Sequence, residues 1–280
     1  MEKFALIGFG EAGSTFARAG GWKSRATVYD VKADDPADRA VMLAAYADAG
    51  VIGAGDLAGA LSGAELVFSL VTADQALVVA QAAAAHLEPG AIYCDMNSVA
   101  PQTKQAAARA IEAAGGHYVD VAVMAPVNPG RMAVPLLLSG PRAPDALAML
   151  TALGFTNARV VGDVVGRAST IKMLRSVMYK GVEALTAECL LACEKAGVTD
   201  EVLGSFGNDW STGADYRLDR MMVHGLRRSV EMAEVVKTLE ALGVEPLMTR
   251  GTVTRQREIG SRAIGPVPPT LNDKLERLTR

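Results

Sequence analysis

The stretch Phe4-Ala5-Leu6-Ile7-Gly8-Phe9-Gly10-Glu11-Ala12-Gly13 decides the fold of this chain. Its apolar first half predicts a buried strand, and its second half is a G-x-G-x-x-G sequence placed where a helix begins. In that arrangement Gly8 permits a tight turn, Gly10 lets the backbone approach a pyrophosphate, and Gly13 allows the helix to pack closely on the strand. The helix N-terminus then faces the negative charge. The stretch therefore predicts a dinucleotide-binding loop whose residues, Gly8 to Gly13, contact the cofactor.

An acidic residue follows this loop at the expected spacing. Asp30 ends the next predicted strand, about where a carboxylate accepts hydrogen bonds from the adenosine ribose hydroxyls. A carboxylate there repels a 2′-phosphate and favours NAD, while the nearby Lys32 leaves NADP as an alternative. Val71 and Thr72, at the end of a further predicted strand, are expected to contact the same cofactor. A flexible glycine loop followed by a turn aspartate is the alternative interpretation, and the order of strand, loop, helix, strand and acid argues against it.

The N-terminal half alternates short aliphatic runs with Ala-rich helical stretches, as parallel sheets do. Strands are predicted over Phe4–Gly8, Ala26–Asp30, Leu66–Val71, Ile92–Asp95, His117–Val121, Pro135–Ser139 and Arg159–Val161. The clearest helix has Asp35 as its cap and Pro36 in its first turn, and it stops at Gly50. We therefore predict an α/β fold that begins with a Rossmann domain, residues 1–165, on a mostly parallel sheet.

The pattern changes after Gly166, where the predicted strands end. We predict an all-α C-terminal domain, residues 166–280, that binds substrate and forms a dimer. Its segments are a helix from about Ala168 to Ala196, a helix capped by Thr199-Asp200-Glu201, a helix from His224 to Leu242, and a loop over Gly265-Pro266-Val267-Pro268-Pro269.

The composition favours small-molecule chemistry. Half of the 280 residues are apolar, 21% are charged, and the formal net charge is -3. Such a balance creates no field strong enough to attract nucleic acid or an anionic membrane. Apolar runs such as Ala76–Ala85 are too short to span a bilayer. We expect a soluble protein that acts on a small molecule, with neither nucleic acid nor membrane as a partner.

The three cysteines indicate a reducing compartment. Cys94 falls in a predicted strand, and Cys189 and Cys193 lie one helical turn apart. That spacing suits a pair of metal ligands, but no His or Cys nearby in sequence completes a site, so we interpret them as packing residues and predict no metal. This odd cysteine set, on a chain that starts without a basic leader, predicts a cytoplasmic protein.

Two later segments resemble the β-hydroxyacid dehydrogenase superfamily, which includes 6-phosphogluconate and 3-hydroxyisobutyrate dehydrogenases. Asp95-Met96-Asn97-Ser98-Val99-Ala100-Pro101 is similar to its substrate loop, and Gly166-Arg167-Ala168-Ser169-Thr170-Ile171-Lys172 is similar to its Gly-rich entry into the interdomain helix. The resemblance implies that Asn97 and Ser98 bind the substrate acid group and that Lys172 is the catalytic acid/base. An ordinary strand-to-helix connection fits the first segment equally well on sequence alone.

Further polar residues follow Lys172 on the same predicted helix. Lys172, Ser176 and Tyr179 fall on one face, at steps of three or four residues, and a polar stripe on an apolar helix indicates a cleft. Ser176 and Tyr179 are therefore predicted to bind substrate, and Arg175 or Arg131 to hold a carboxylate, phosphonate or sulfonate. A solvated lysine with no chemical role is the alternative, because most helical lysines are exposed.

The chain departs from the usual superfamily pattern at two places that affect the substrate. Ser176 stands where members usually have Asn, and Met124-Ala125-Pro126 stands where they have a Ser-Gly-Gly turn that touches substrate. Met124 adds apolar bulk, so we predict a substrate with an apolar part beyond its acid. The sequence around Lys172-Met173-Leu174-Arg175-Ser176 is closer to an offshoot with a short helical C-terminal domain of unknown function.

The C-terminal helices carry two further predictions. Arg228 falls about where the superfamily has a lysine that reaches the cofactor, although Arg227 and Arg228 also fit a solvated charge pair. The long helix is apolar on more than one face and needs a covering surface, which predicts a homodimer packed through the helical domains.

The implied reaction is hydride transfer between NAD(H) and an alcohol or carbonyl next to an acidic group. Lys172 accepts the hydroxyl proton, and a desolvated cleft beside the cationic nicotinamide lowers its pKa. Imine reduction and oxidation followed by decarboxylation of a β-keto acid are alternatives on the same scaffold. A dinucleotide-binding regulatory protein without turnover is a third, and it has no need of a proton-transfer group.

Overall fold

A computed structural model of the chain describes residues 3–206 and 210–280 and divides into two compact units, with the boundary between Lys172 and Met173. The strands are β1 (Phe4–Ile7), β2 (Ala26–Tyr29), β3 (Ile52–Gly53), β4 (Leu66–Ser69), β5 (Ile92–Asp95), β6 (His117–Val123), β7 (Leu136–Ser139) and β8 (Ala158–Gly162). The helices are α1 (Glu11–Gly20), α2 (Pro36–Ala49), α3 (Leu57–Leu61), α4 (Ala76–Ala84), α5 (Pro101–Ala113), α6 (Ala143–Ala152), α7 (Arg167–Ala196), α8 (Thr199–Ser205), α9 (Trp210–Ala241), α10 (Leu247–Ser261) and α11 (Leu271–Thr279).

The first unit is built on an 8-stranded sheet with the order β3-β2-β1-β4-β5-β6-β7-β8. Neighbouring strands are parallel except β6 and β7, which are antiparallel. The predicted fold class, a mostly parallel Rossmann sheet followed by helices, is confirmed. Since β1, β4 and β5 are parallel neighbours, the loops that follow them lie at one edge of the sheet, where α/β proteins bind their ligands.

Both faces of the sheet are covered, so its central strands are buried on both sides. β1 and β4 are buried at every position. On one face Phe4 lies edge-on to Trp22, with ring centroids 5.0 Å apart, and the Trp22 indole donates a hydrogen bond of 2.9 Å to the Leu153 carbonyl. On the other face small residues of α4 and α5 pack on the sheet. Alternating polarity is absent for this reason.

The predicted strands are confirmed to within two residues at each end, and α2 matches its predicted limits. The Asp35 carboxylate accepts a hydrogen bond from the Ala37 amide, and Gly50 ends the helix at a positive φ of 70°. The two-residue strand β3 was not predicted, because Ile52 and Gly53 are exposed and form no apolar run. Such a short edge strand leaves no periodicity to detect.

The second unit is helical, and its predicted long helix is confirmed as α7. The helix predicted at Thr199-Asp200-Glu201 is confirmed as α8, but these residues do not provide its N-cap. Val198 holds the N-cap position, and the Thr199 hydroxyl donates to the Glu194 carboxylate at 3.2 Å. The helix predicted from His224 begins earlier, at Trp210, and the loop over Gly265–Pro269 is confirmed. No helix in residues 3–206 and 210–280 combines the length and apolarity needed to cross a bilayer.

Two glycines allow α9 and α10 to approach each other closely. A Cβ added at Gly260 would lie 2.3 Å from the Leu226 backbone nitrogen, and one added at Gly225 would lie 2.4 Å from the Gln256 carbonyl oxygen. Both obstacles are backbone atoms, which cannot move aside as a side chain can. The contact therefore depends on the absence of a side chain at these positions.

Replacement of Gly260 by alanine is expected to lower the free energy of unfolding of the second unit by about 1–3 kcal/mol, the usual cost of overpacking. Gly251 lies in the same helix with no atom within 4 Å of an added Cβ. Gly251→Ala should therefore raise stability by up to about 1 kcal/mol through helix propensity. Urea unfolding monitored by the helical circular dichroism signal checks both, and equal effects of the two substitutions would contradict the close contact.

Candidate dinucleotide and acid/base site

The loop between β1 and α1 has the geometry that its glycines predict. Gly8 has a φ of 92°, and its amide donates a hydrogen bond of 2.8 Å to the Tyr29 carbonyl. A Cβ at Gly8 would lie 2.5 Å from the Leu70 carbonyl oxygen, and one at Gly13 would lie 2.5 Å from the Gly8 carbonyl oxygen. Both positions thus need glycine for the protein's own packing.

Gly10 differs, because an added Cβ there would meet no protein atom within 4 Å. It is the N-cap residue of α1, and no side chain caps this end of the helix. Open space beside a helix N-terminus with uncapped amides suits a pyrophosphate. The loop therefore fits a bound dinucleotide.

Asp30 is tied to the loop by its carboxylate. One oxygen accepts a hydrogen bond of 2.6 Å from the Phe9 amide, and the other accepts one of 3.0 Å from the Lys32 amide. The Phe9 ring packs edge-on against Tyr46, with centroids 5.0 Å apart, so its amide rather than its ring faces Asp30. Burial and, to a smaller extent, the Asp30 charge together raise the pKa of Tyr46 to about 12.

Asn97 connects the loops that follow β4 and β5. Its side-chain oxygen accepts from the Val71 amide at 2.7 Å, and its side-chain nitrogen donates to the Ser69 hydroxyl at 2.9 Å. Only 4% of Asn97 is exposed. Its amide group therefore fixes the Val71 backbone, next to the exposed Thr72, where the sequence predicts cofactor contacts.

The first unit brings Ser98 and Lys172 together. The half-buried Lys172 ammonium donates a hydrogen bond of 2.5 Å to the Ser98 hydroxyl. Gly166, with a φ of 99°, lies against the start of α5, and a Cβ there would be only 3.0 Å from the Pro101 Cβ. Met124, also half-buried, packs near Ala168 in the first turn of α7. Ser98 and Lys172 are 74 positions apart in the sequence, and the fold brings them into contact.

A buried charge cluster underlies this contact, and we call Asp95, Lys104 and Asp120 the acid–lysine cluster. The Lys104 ammonium donates to the Asp95 carbonyl at 2.6 Å and lies 2.9 Å from an Asp95 carboxylate oxygen and 3.4 Å from one of Asp120. The Tyr118 hydroxyl donates to the other Asp95 oxygen at 2.6 Å. Burial, reinforced by Asp95, raises the pKa of Tyr118 well above its usual value and keeps the hydroxyl a donor.

Asp120 also holds the first turn of α7. Its two oxygens accept from the Ser169 hydroxyl at 2.6 Å and from the Ser169 amide at 2.9 Å. Ser139, which donates to Asp120 at 3.1 Å, accepts from the Ala168 amide at 3.0 Å. A carboxylate at a helix N-terminus also interacts favourably with the helix dipole. Sequence reasoning missed this cluster; the signal was an acid in each of the apolar strands β5 and β6.

Arg131, one of the two predicted partners of the substrate acid, is exposed in the first unit, and the remaining predicted site residues belong to the second unit. The Arg175 guanidinium lies 4.3 Å from the centre of the exposed Tyr179 ring, and Ser176 is half-buried. Arg228 is 7% exposed and donates to the carboxylate of Glu183, which also accepts from the Gln256 amide at 2.9 Å. Arg228 is therefore a partner in a buried ion pair rather than half of a solvated charge pair.

The three cysteines are free thiols. Burial raises the pKa of Cys94 to about 12, which leaves it protonated and unreactive at neutral pH. The sulfur atoms of Cys189 and Cys193 lie 4.0 Å apart, and burial also raises the pKa of Cys193. Cys94 and Cys193 are therefore buried packing residues.

Comparison with known proteins agrees with this geometry. Residues 3–143 match the NAD binding domain of 6-phosphogluconate dehydrogenase, and residues 194–259 match a domain of unknown function, DUF1932. A conserved hypothetical protein from Sinorhizobium meliloti is 40% identical, with a TM-score of 0.76 over 100% of this chain and 97% of that one. A conserved protein of unknown function, described as structurally similar to 3-hydroxyacid dehydrogenases, is 30% identical, with a TM-score of 0.70 over 92% of this chain and 97% of that one.

An uncharacterized 28.5 kDa protein from Methanothermus fervidus is 30% identical over 192 residues, which are 67% of this chain and 73% of that protein. The strand order and the match to an NAD binding domain show that this is a protein with an NAD(P)-binding Rossmann domain. The chain belongs to the 6-phosphogluconate dehydrogenase-like family, in the group that carries a DUF1932 domain.

Substitutions at Gly10 and Gly13 should separate cofactor binding from folding. Gly10→Ala places a methyl group in the open space and should weaken NADH binding by about 1–3 kcal/mol, roughly 5- to 150-fold in Kd, with an unchanged Tm. Gly13→Ala forces a Cβ against the Gly8 carbonyl and should lower Tm as well. Fluorescence titration and thermal unfolding measure the two effects. Unchanged NADH affinity of Gly10→Ala would show that the dinucleotide lies elsewhere.

Proposed function

We propose that this protein is an oxidoreductase that transfers hydride between a nicotinamide dinucleotide and an alcohol or carbonyl next to an acidic group. The hydrogen bond from Lys172 to Ser98 carries the proposal, because it places an amine and a hydroxyl at one point of the first unit. The loop after β5, which contains Ser98, is fastened through Asn97 to the loop after β4. The 30% identical protein of unknown function that is described as structurally similar to 3-hydroxyacid dehydrogenases supports this class of substrate.

The nicotinamide, when bound, supplies the hydride acceptor or donor. Lys172 takes the proton from the substrate hydroxyl during oxidation and returns it during reduction. As a neutral amine it can donate one N–H to the Ser98 oxygen, which directs its lone pair away from Ser98, and this lone pair accepts the substrate proton. Ser98 can donate its own hydroxyl proton to the substrate oxygen. The pair thus orients substrate and moves one proton.

Met124 shapes the proposed substrate preference. Its half-buried side chain packs among Ala122, Leu137 and Ala168, and it offers an apolar surface where a polar turn would offer hydroxyl groups. An apolar wall favours a substrate with a hydrophobic part besides its acid. Arg175, which is exposed above Tyr179, is the proposed partner of that acid.

We further propose that NAD is the preferred cofactor and that the protein is a homodimer. The Asp30 carboxylate, held at the end of β2, supports the first, because its charge repels a 2′-phosphate. Exposed apolar side chains on the helices of the second unit support the homodimer, because exposed apolar surface of this kind marks protein–protein interfaces. They include Leu174, Met178, Leu185, Val223, Leu226 and Val230.

The Asp30 proposal makes a cofactor prediction. The unmodified protein should bind NADH more tightly than NADPH. Asp30→Asn should lower the ratio of the Kd for NADPH to the Kd for NADH, because the negative charge is lost while the remaining side-chain oxygen still accepts a hydrogen bond from the backbone. Asp35→Asn is the matched control, since it removes a nearby charge and keeps a good N-cap residue. Titration with both cofactors measures the ratio. Equal affinities in the unmodified protein would sink the proposal.

Lys172 is the direct test of the proposed chemistry. Lys172→Ala should leave NADH binding and folding nearly intact and lower kcat by a factor of roughly 100 to 10,000, the range for loss of a general acid/base. Lys172→Arg should not restore activity, because guanidinium stays protonated and cannot accept the proton. Steady-state kinetics at saturating substrate provide the measurement.

Two results of this experiment would change the conclusion. Near-normal turnover of Lys172→Ala would remove Lys172 from the chemistry. Rescue by Lys172→Arg would mean that charge alone, rather than proton transfer, is required at this position.

A further inference from the structure

We propose that Lys104 is a positioning residue, which holds Ser98 and Lys172 at the distance that proton transfer needs. The inference rests on the proposed role of Lys172. Lys104 itself is fully buried in α5 and touches neither residue in any contact described above. It acts through Asp95 on one side and Asp120 on the other.

On the Ser98 side, Lys104 fixes the turn that follows β5. Its ammonium donates to the Asp95 carbonyl at 2.6 Å and lies 2.9 Å from the Asp95 carboxylate oxygen Oδ1. That same oxygen accepts a hydrogen bond of 2.9 Å from the Asn97 amide. The backbone on both sides of Met96 is therefore tied to the acid–lysine cluster immediately before Ser98.

On the Lys172 side, Lys104 meets the residue that anchors α7. Its ammonium lies 3.4 Å from Asp120 Oδ1, the oxygen that accepts from the Ser169 hydroxyl at 2.6 Å. Ser169 precedes Lys172 by three residues, less than one turn of the same helix. The rotation and height of the first turn of α7, and with them the direction of Lys172, depend on Asp120.

The chemistry of the cluster argues against a purely structural role. Other residues on the buried face of α5 are small or aliphatic, namely Ala107, Ala108 and Ile111. Apolar side chains in place of the whole cluster would fill the same space, and buried ion clusters often stabilise a fold no better than such replacements. A lysine between two carboxylates fixes distances that apolar contacts leave loose, because each charge without water needs its partner. The acid–lysine cluster therefore serves to fix the positions of Ser98 and Lys172 relative to each other.

The test measures the Lys172 amine directly and needs no substrate. Trace acetylation with acetic anhydride, followed by peptide mass spectrometry, gives the acetylation rate of Lys172 in the folded protein. Ser98→Ala defines the rate when the hydrogen bond between Ser98 and Lys172 is absent. We expect Lys104→Met to change the acetylation rate of Lys172 from the value in the parent protein to the value in Ser98→Ala. We also expect it to lower kcat about 100-fold, as misplacement of a catalytic group by about 1 Å does.

Trp22→Phe is the stability control, because it removes a buried hydrogen bond to Leu153 far from the cluster in sequence. It should lower Tm and leave the Lys172 rate unchanged. If Lys104→Met alone does not fold, Lys104→Met combined with Asp120→Asn removes one anion together with the cation and keeps an acceptor for the Ser169 amide. The same shift in rate is expected in the double variant.

Three outcomes are informative. If a folded Lys104 variant showed the same Lys172 acetylation rate as the parent protein, the proposal would be overturned. Identical Lys172 acetylation rates in the parent protein and in Ser98→Ala would overturn it as well. A shifted rate in the Lys104 variant, together with normal turnover of Lys172→Ala, would support the positioning of Lys172 and refute its catalytic role. The two proposals therefore fail separately.

Discussion

Lys104 has no contact with water, and its charge is met by Asp95 and Asp120. A buried ammonium without such partners would cost several kcal/mol, so helix α5 and strands β5 and β6 must keep a common register for the cluster to form. Asp95 ends β5 and Asp120 lies opposite it in the paired strand β6. The pairing of these two strands thus sets the distance between the carboxylates, and α5 supplies the cation.

The same register governs the loops at this edge of the sheet. β1, β4 and β5 are consecutive in the sheet, and short backbone contacts connect the loops that follow them. Gly8 lies against Leu70, and the Asn97 side chain accepts from the Val71 amide. The dinucleotide loop and the Ser98 loop are therefore parts of one hydrogen-bonded edge. In doubly wound sheets, ligands bind at this edge, beyond the carboxyl ends of the strands.

Much of this could be predicted from the sequence, because the signals are local. The strand, glycine loop and helix of residues 4–13, the limits of α2 and the long helix α7 follow from periodicity and capping residues. The resemblance to a known superfamily singled out Ser98 and Lys172, and the fold places them in contact. Residue spacing within one element, or a motif of a few residues, was enough in each case.

The remaining features depend on contacts between distant segments. In the sequence, Lys104 is indistinguishable from an exposed helical lysine, and only the packing of α5 on the sheet shows that it is buried. Asp120 is an isolated acid in an apolar strand, and only its contact with the first turn of α7 explains it. Asn97 was predicted to bind substrate, yet its side chain is engaged by Val71 and Ser69. Periodicity carries no information on such pairings, because the partners lie on different elements, 9 to 49 residues apart. Strand β3 was missed for a different reason, since its two exposed residues form no apolar run that could be detected.

The central claim is that the bound dinucleotide exchanges hydride with a substrate beside Lys172. The most direct measurement uses NADH deuterated at C4 of the nicotinamide, incubated with a panel of keto acids, keto phosphonates, aryl ketones and cyclic imines. Mass spectrometry then locates the deuterium. We expect deuterium on the former carbonyl carbon of an acceptor that carries an acidic group, and no transfer by Lys172→Ala. Transfer to imines alone, or retention of all deuterium on NADH that is demonstrably bound, would contradict it.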